Sequence, residues 1–486
     1  MKRLYAMALA FCIVQTASAQ KWKAAVTRAN SVFSYQNDQY FEFDSKEKYF
    51  SHGSLPWSTY DNNAQGELLI KPNQFQSYTA TAHRKQTYTQ FDSTALSLYD
   101  ATTATFLPRT IQQLEQYPFV IAQYTPKYLL EMILQQPGKV KAHKQKDGLH
   151  VTYAQDSLNS YEIIIKNNKV TEARYHYTHD IFGDATTSIT YAPYVATAVD
   201  KKQKPAYYSP LTTTSEFGKV MKSTSIKAVD HVKPVVSPYV DSSVMKAMEE
   251  VNYEPVITQY QEHIYLLEFK GSSSRSNLIE FNDYFLVADA PLNTKFGDAI
   301  VNAAKMINPE KPIRYFSFTH HHPWSIGGMR SLVAAGATVF THPTNAAFIN
   351  EIVNFPHTLQ PDSLSIHPVS LKTESIETVR TLKDSTLEMQ IIHIGAESEH
   401  TDDYFVYYFP QLQLLIEGDL VWIANNGDMK PAIARQKGLY DAIVKRNLAV
   451  KKIMQNWPIM NDNYKVKSMV TFTELENSVK LLSAKQ

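Results

Sequence analysis

The chain reads as two domains of different class: a β-rich antiparallel N-terminal domain, then an α/β domain in which sheets are covered by helices. Three observations carry this. The length of 486 residues exceeds what one hydrophobic core usually organises. From about residue 21 to 200 apolar side chains alternate with period two, as in Phe41-Glu42-Phe43, Phe75–Tyr78, Leu96–Tyr99, Tyr161–Ile165 and Arg174–Tyr177. Such alternation marks strands with one face buried. From about residue 250 the pattern changes to short apolar strands alternating with helical periods, which indicates layered sheets and helices.

Composition narrows the function classes. Lys and Arg number 48 against 47 Asp and Glu, so no electrostatic case exists for nucleic acid or an anionic membrane as partner. At 44% hydrophobic and 12% aromatic the chain has material for packed cores and is not a disordered segment. One cysteine excludes a disulfide scaffold and a Cys-rich zinc module.

That cysteine belongs to an address. Residues 1–19 combine basic Lys2 and Arg3, an apolar run from Leu4 to Val14, and Ala17-Ser18-Ala19 before Gln20, the three parts of a cleaved secretory signal peptide. The expected location is therefore periplasmic or secreted. Phe11 precedes Cys12 where a lipoprotein anchor needs a small residue. Removing Lys2 and Arg3 lowers the basic count from 48 to 46 against 47 acids, a net charge of −1. The mature chain then has no cysteine, and any metal must be held by His and carboxylates. No later segment approaches a membrane span.

The N-terminal domain is placed at 20–197. Its strands are separated by turns such as Asn167-Asn168, and a helical stretch from about Thr110 to Gln136 ends at Pro137-Gly138. Its aromatic texture, ending in FGDATTSITYAPY at 182–194, loosely resembles the half-barrels of periplasmic lipoprotein carriers; core filling accounts for the aromatics better. Residues 198–250, with Lys201, Lys202, Lys204 and Ser/Thr clusters without clear periodicity, read as a linker.

The second domain, 251–486, opens with strands at Ile264–Phe269 and a hairpin over Asn277–Asp289 turning at Asn282-Asp283. Helical periods at Ala299–Ile307 and Met329–Ala335 bracket a strand at Ile313–Thr319. Strands follow at Ala337–Thr341, Leu387–Ile394, Tyr404–Phe409 and Leu412–Glu417, then a long helix at Pro431–Leu448.

Of 16 histidines most stand alone, but THHHPWSIGG at 319–328 follows an apolar strand directly. Alternation along a strand would send His320 and His322 to one side and His321 to the other, and two imidazoles on a rigid strand end suit zinc.

These residues resemble the metallo-β-lactamase superfamily, whose signature is T-H-x-H-x-D-H-x-G-G after a strand. NLIEFNDYFLVADA at 277–290 is similar to the family's early hairpin, and HIGAESEHTDDYFVYYFPQLQLLIEGDL at 393–420 to its third-histidine segment and Gly-Asp. The resemblance covers about 255–486 and implies an αββα sandwich with a metal site at one edge of two sheets. It implies a zinc-dependent hydrolase acting on a small molecule, with His320, His322 and His400 as ligands. Asp419 corresponds to the carboxylate that usually bridges two metals and is the candidate catalytic residue.

The second metal site departs from the pattern. Trp324 and Ser325 stand where the signature has Asp and His, and VKKIMQNWPI at 450–459 aligns Trp457 with the last family histidine. No His occurs after His400. An indole offers one N–H donor and an apolar face and cannot ligate zinc. One zinc ion is therefore expected, with the second site filled rather than merely weakened. Glu397, Glu399, Asp402 and Asp403 are candidate stand-ins for the missing base, and His342 and His393 candidate supporting histidines. The alternative is an inactive member of the superfamily that binds a ligand or partner.

Overall fold

The computed structural model describes residues 21–33, 35, 38–49, 53–58, 60–82, 85–92, 96–101, 105–106, 111–197, 206–229, 252–460 and 465–483. The signal peptide expected at 1–19 lies outside these. Among the described residues no helix is long and apolar enough to cross a membrane. The chain divides into two compact units, and each is described by itself.

The N-terminal unit comprises residues up to Tyr49, Asp61–Thr178 and Asp184–Met248. Among the described residues it holds a 14-stranded sheet, whose middle pair is Gln39–Tyr49 against Lys219–Val229, and a short separate pair, Val195–Ala196 with Tyr207–Tyr208. Period-two alternation does what it predicts: Phe41 and Phe43 face the core with Phe75, Val151 and Tyr161. Helices at 21–32, Ile111–Ala122 and Lys127–Gln135 supply the opposing apolar side chains Trp22, Val26, Ile121, Leu129 and Ile133. The helical stretch from Thr110 is thus two helices, because Pro126 stands at the start of the second and restricts the residue before it.

Within the linker expected at 198–250, the described residues 206–229 form strands instead. Leu211–Glu216 and Lys219–Val229 are paired strands, joined through Phe217 and Gly218 at φ 48 and 71. Their side chains are mostly Thr, Ser and Lys, so no hydrophobic alternation marks them. Thr is β-branched and suits a strand, and the buried Ser45 and Thr224 hydroxyls bond each other at 2.9 Å across the central pair.

The C-terminal unit comprises Phe50–Tyr60, His179–Gly183 and Glu249–Gln486. It includes two short segments, near 50–60 and 179–183, from far upstream in sequence. Seven strands form one sheet, ordered Pro255–Gln261, Ile264–Phe269, Arg275–Glu280, Phe285–Ala288, Ile313–Ser317, Thr338–Thr341 and Lys372–Ser375. Six form the other: Val379–Lys383, Glu388–His393, Phe405–Phe409, Leu414–Glu417, Lys452–Gln455 and Met469–Thr471. The sheets share a core of Ile264, Ile279, Leu286 and Phe340 against Met389, Ile391, Phe405, Tyr407, Leu414 and Ile416. Helix Ala434–Lys445 covers the outer face of the second sheet with Leu439, Ala442 and Ile443. Helices Thr294–Ile307 and Met329–Ala334 pack with the first sheet. This is the αββα layering that the motif resemblance implies.

Candidate metal centre

Four side chains predicted as ligands converge in the C-terminal unit. His320, His322, His400 and Asp419 each offer a ligand atom, and all of these lie within 4.8 Å of one another. They come from three places: the turn after strand Ile313–Ser317, the loop after Glu388–His393, and the turn after Leu414–Glu417. The first two imidazole centroids are 4.5 Å apart, and His400 sits 5.0 and 4.7 Å from His320 and His322. Asp419 Oδ2 is 2.9 Å from His400 Nε2, and Oδ1 is 3.7 Å from His320 Nε2.

Strand alternation is not what brings the pair together, because the strand ends at Ser317. The turn is held instead by Asp289, whose Oδ1 accepts the Thr319 amide at 2.6 Å, while Asn456 Nδ2 donates to Oδ2 at 2.7 Å. Burial pushes the Asp289 carboxyl up to about 7. Thr319 Oγ1 in turn lies 3.1 Å from His320 Nδ1, leaving Nε2 for the cluster. Gly418 passes so close beneath that a Cβ there would meet Thr319 Oγ1 and Tyr404 Oη at 2.6 Å; only glycine fits.

His322 is oriented differently. Its Nε2 lies 3.3 Å from the Gly53 carbonyl, which as an acceptor requires the proton on Nε2. Nδ1 then carries the lone pair, and it is buried. The segment 53–58 is fastened to this unit by Asp402 N donating to Ser54 O at 2.8 Å, by the Trp57 indole N–H bonding Glu351, and by Trp57 stacking on Phe182 at 5.0 Å.

His321 is turned to a different partner, held by Asp403 rather than by strand alternation: its Nδ1 meets Asp403 Oδ1 at 3.0 Å and its amide donates to Oδ2 at 2.9 Å. Burial would raise Asp403, but adjacent His321 and the Asn345 amide hold it below its ordinary value. Asp403 is thereby committed to the turn. Glu397 is paired with Lys445 and Arg446, and Glu399 is exposed. His342 and His393 stack on each other at 4.1 Å, and His393 Nε2 meets the Asp402 carbonyl at 3.0 Å. None of the six joins the metal-ligand group.

The replaced second-site positions meet. Trp324 and Trp457 stack with centroids 4.3 Å apart and planes at 14°, and Trp324 lies 5.1 Å from the His322 ring. Trp422 adds its edge to Trp457 at 5.8 Å and donates its indole N–H to the Asp419 carbonyl at 2.9 Å. Ser325 is buried, its hydroxyl 2.9 Å from Thr319 Oγ1.

Two residues of the site escape sequence reading. Arg435, in the first turn of helix Ala434–Lys445, places Nη1 3.1 Å from Asp419 Oδ2. Tyr404 stacks on His320 at 4.8 Å, and its hydroxyl accepts the amides of Gly418 and Asp419 at 2.9 and 2.8 Å. Neither carries a local signal, although an arginine following the Gly-Asp is the type expected beside a buried carboxylate.

The residues fit a metal. His320 Nε2 is buried without a hydrogen-bond partner, and burial followed by the neighbouring imidazoles holds His320 well below its ordinary pKa, so it is a neutral donor. Three imidazoles and a carboxylate suit zinc and other borderline divalent ions.

No protein-family model matches the chain, and no curated protein matches it in sequence. Among solved structures, a metallo-beta-lactamase from Pontibacter korlensis is 15% identical, covering 47% of this chain and 99% of that one at TM-score 0.34. The DIM-1 metallo-beta-lactamase is 14% identical over 49% of this chain and 100% of that one, TM-score 0.35. The stereoselective inverting sec-alkylsulfatase Pisa1 from Pseudomonas sp. is 14% identical over 47% of this chain and 42% of that one, TM-score 0.33. Two of these three are metallo-beta-lactamases, and each of the three matches about half of this chain.

Proposed function

We propose that the C-terminal unit is a mononuclear zinc hydrolase acting on a small ester, amide, thioester or phosphoester outside the cytoplasm. The observation that carries this is the convergence of His320, His322, His400 and Asp419 within 4.8 Å. His320 and His400 would donate through Nε2, His322 through Nδ1, and Asp419 through a carboxylate oxygen. A zinc ion bound there supplies Lewis acidity, polarising an acyl or phosphoryl oxygen and acidifying water to a pKa of about 7.

The chain's own groups do the rest. Asp419 holds its oxygens in fixed directions because Tyr404 Oη lies 3.2 Å from Oδ1 and Arg435 3.1 Å from Oδ2. Placed so, it is the carboxylate best positioned to accept a proton from an attacking water. The indoles of Trp324 and Trp457 exclude water from one side of the cluster, which strengthens every electrostatic interaction within it. The signal sequence supports export, and the cysteine-free mature chain suits it.

The stacked indoles favour a second reading, in which the domain binds a ligand without turning it over. Metal analysis of protein purified without added zinc, with His320→Ala/His322→Ala as control, tests both. One zinc per chain that is lost in the control, with turnover on an ester, lactam and phosphodiester panel, is expected. Sub-stoichiometric zinc in the parent sinks the hydrolase, and stoichiometric zinc without turnover leaves the binder.

A further inference from the structure

Asp419 is fully buried, and a buried carboxylate without a compensating cation is costly. In a dinuclear site that compensation is shared by two metals. Here the ligands of the second metal are replaced by Trp324, Ser325 and Trp457, yet a cation still faces the same carboxylate: the Arg435 guanidinium, 3.1 Å from Oδ2. Its location is not explained by its helix. Arg435 stands in the first turn of Ala434–Lys445, where the macrodipole disfavours positive charge, so Asp419 must supply the reason for its position.

The guanidinium is not consumed by this contact. It has five N–H donors in a rigid fork, and only Nη1 is engaged; Nε and Nη2 have no partner among the described residues. The Arg435 side chain is 32% exposed while the carboxylate it pairs with is 0% exposed, so the fork runs from the buried cluster toward solvent. Beside the cluster stand the half-buried Trp324, Trp422 and Trp457.

We propose that Arg435 takes over the charge of the missing second metal and binds the oxyanion of the substrate, a carboxylate, phosphate or sulfate group borne on an apolar body that lies along the indoles. The indoles replace the second ion's volume, and the guanidinium replaces its electrostatic role. A planar fork matched to oxyanions does this better than a lysine would. The proposal rests on the metal-site reading for its geometry, but the anion contact belongs to Arg435 itself.

The test is calorimetric titration of inorganic phosphate into zinc-loaded and chelator-treated protein, for the parent and Arg435→Met, with zinc stoichiometry measured alongside. We expect saturable binding of one phosphate by the zinc-loaded parent, weakened about 10- to 100-fold in Arg435→Met, the effect of losing a charge-assisted contact, with one zinc retained in both. Equal phosphate affinity in both proteins overturns the proposal, as does absence of saturable binding to the parent. Loss of zinc in Arg435→Met also overturns it, since Arg435 would then be a structural counter-ion. If the parent holds no zinc, the metal reading fails separately, and the parent-to-variant comparison in metal-free protein still decides Arg435 by the same tenfold criterion. Arg435→Gln, which keeps a donor for Asp419 without the charge, is judged by the same rule should the methionine variant not fold.

Discussion

Removing one oxygen atom should loosen the whole centre. Tyr404 Oη is fully used: the Gly418 and Asp419 amides donate to it at 2.9 and 2.8 Å, and its own proton goes to Asp419 Oδ1 or Glu417 Oε2, each 3.2 Å away. Burial holds this phenol well above its ordinary pKa, so it stays protonated, and burial likewise raises Glu417. Tyr404→Phe keeps the ring stacked on His320 but strands two buried amides. At about 1–3 kcal/mol per unsatisfied buried donor, the C-terminal unit should lose about 4 kcal/mol. For a unit of this size that lowers its melting temperature by about 10 °C. Four of the five tryptophans, Trp57, Trp324, Trp422 and Trp457, lie in that unit, so denaturant titration followed by intrinsic fluorescence reports its transition. Asp419 also loses a hydrogen bond that orients it, and zinc affinity should fall about 10- to 100-fold, as for other outer-shell partners. A stability change under about 1 kcal/mol with unchanged zinc affinity would refute the hub.

Two further predictions follow the same logic. A Cβ at Gly53 would meet Ser58 Oγ at 2.1 Å and Ser58 O at 2.8 Å, so Gly53→Val should move the carbonyl that fixes the His322 tautomer and weaken zinc about 10- to 100-fold in chelator competition; unchanged affinity would show that this carbonyl does not orient the ring. The second concerns acid stability. Burial would raise Asp362, but Arg330, bonding both its oxygens at 2.5 and 2.9 Å, and Ser365 hold it down to about 2. Its folded pKa lies below its ordinary 3.8, so its contribution of about 2 kcal/mol is complete above pH 4 and lost as pH falls toward 2. Asp362→Asn should flatten that part of the stability profile and, by stranding the buried Arg330, destabilise the unit by about 3–5 kcal/mol at pH 7; an unaltered acid limb would refute the assignment.

Local pattern carried much of the architecture. The period-two run Phe41–Phe43 became a strand that buries one face, Tyr161–Ile165 a strand buried on both, and the short apolar runs Ile264–Phe269 and Tyr404–Phe409 became strands of the two facing sheets. Where burial did not mark the strand, pattern failed: Leu211–Glu216 and Lys219–Val229 are rich in Thr, Ser and Lys, and only pairing with each other and with Gly183–Tyr191 and Gln39–Tyr49 on either side makes them a sheet. The histidine spacing, with the tryptophans at 324 and 457, was readable because ligand chemistry depends on residue type. What the sequence could not carry is contact between residues far apart along it. Arg435 against Asp419, Tyr404 beneath Gly418, Asn456 on Asp289 and the Gly53 carbonyl on His322 are polar contacts without period or motif. Residue type alone thus determined which atoms are able to hold a metal. Only the tertiary structure decided which way those atoms point and which cation balances the buried carboxylate, because direction and charge compensation are properties of neighbours brought together by packing.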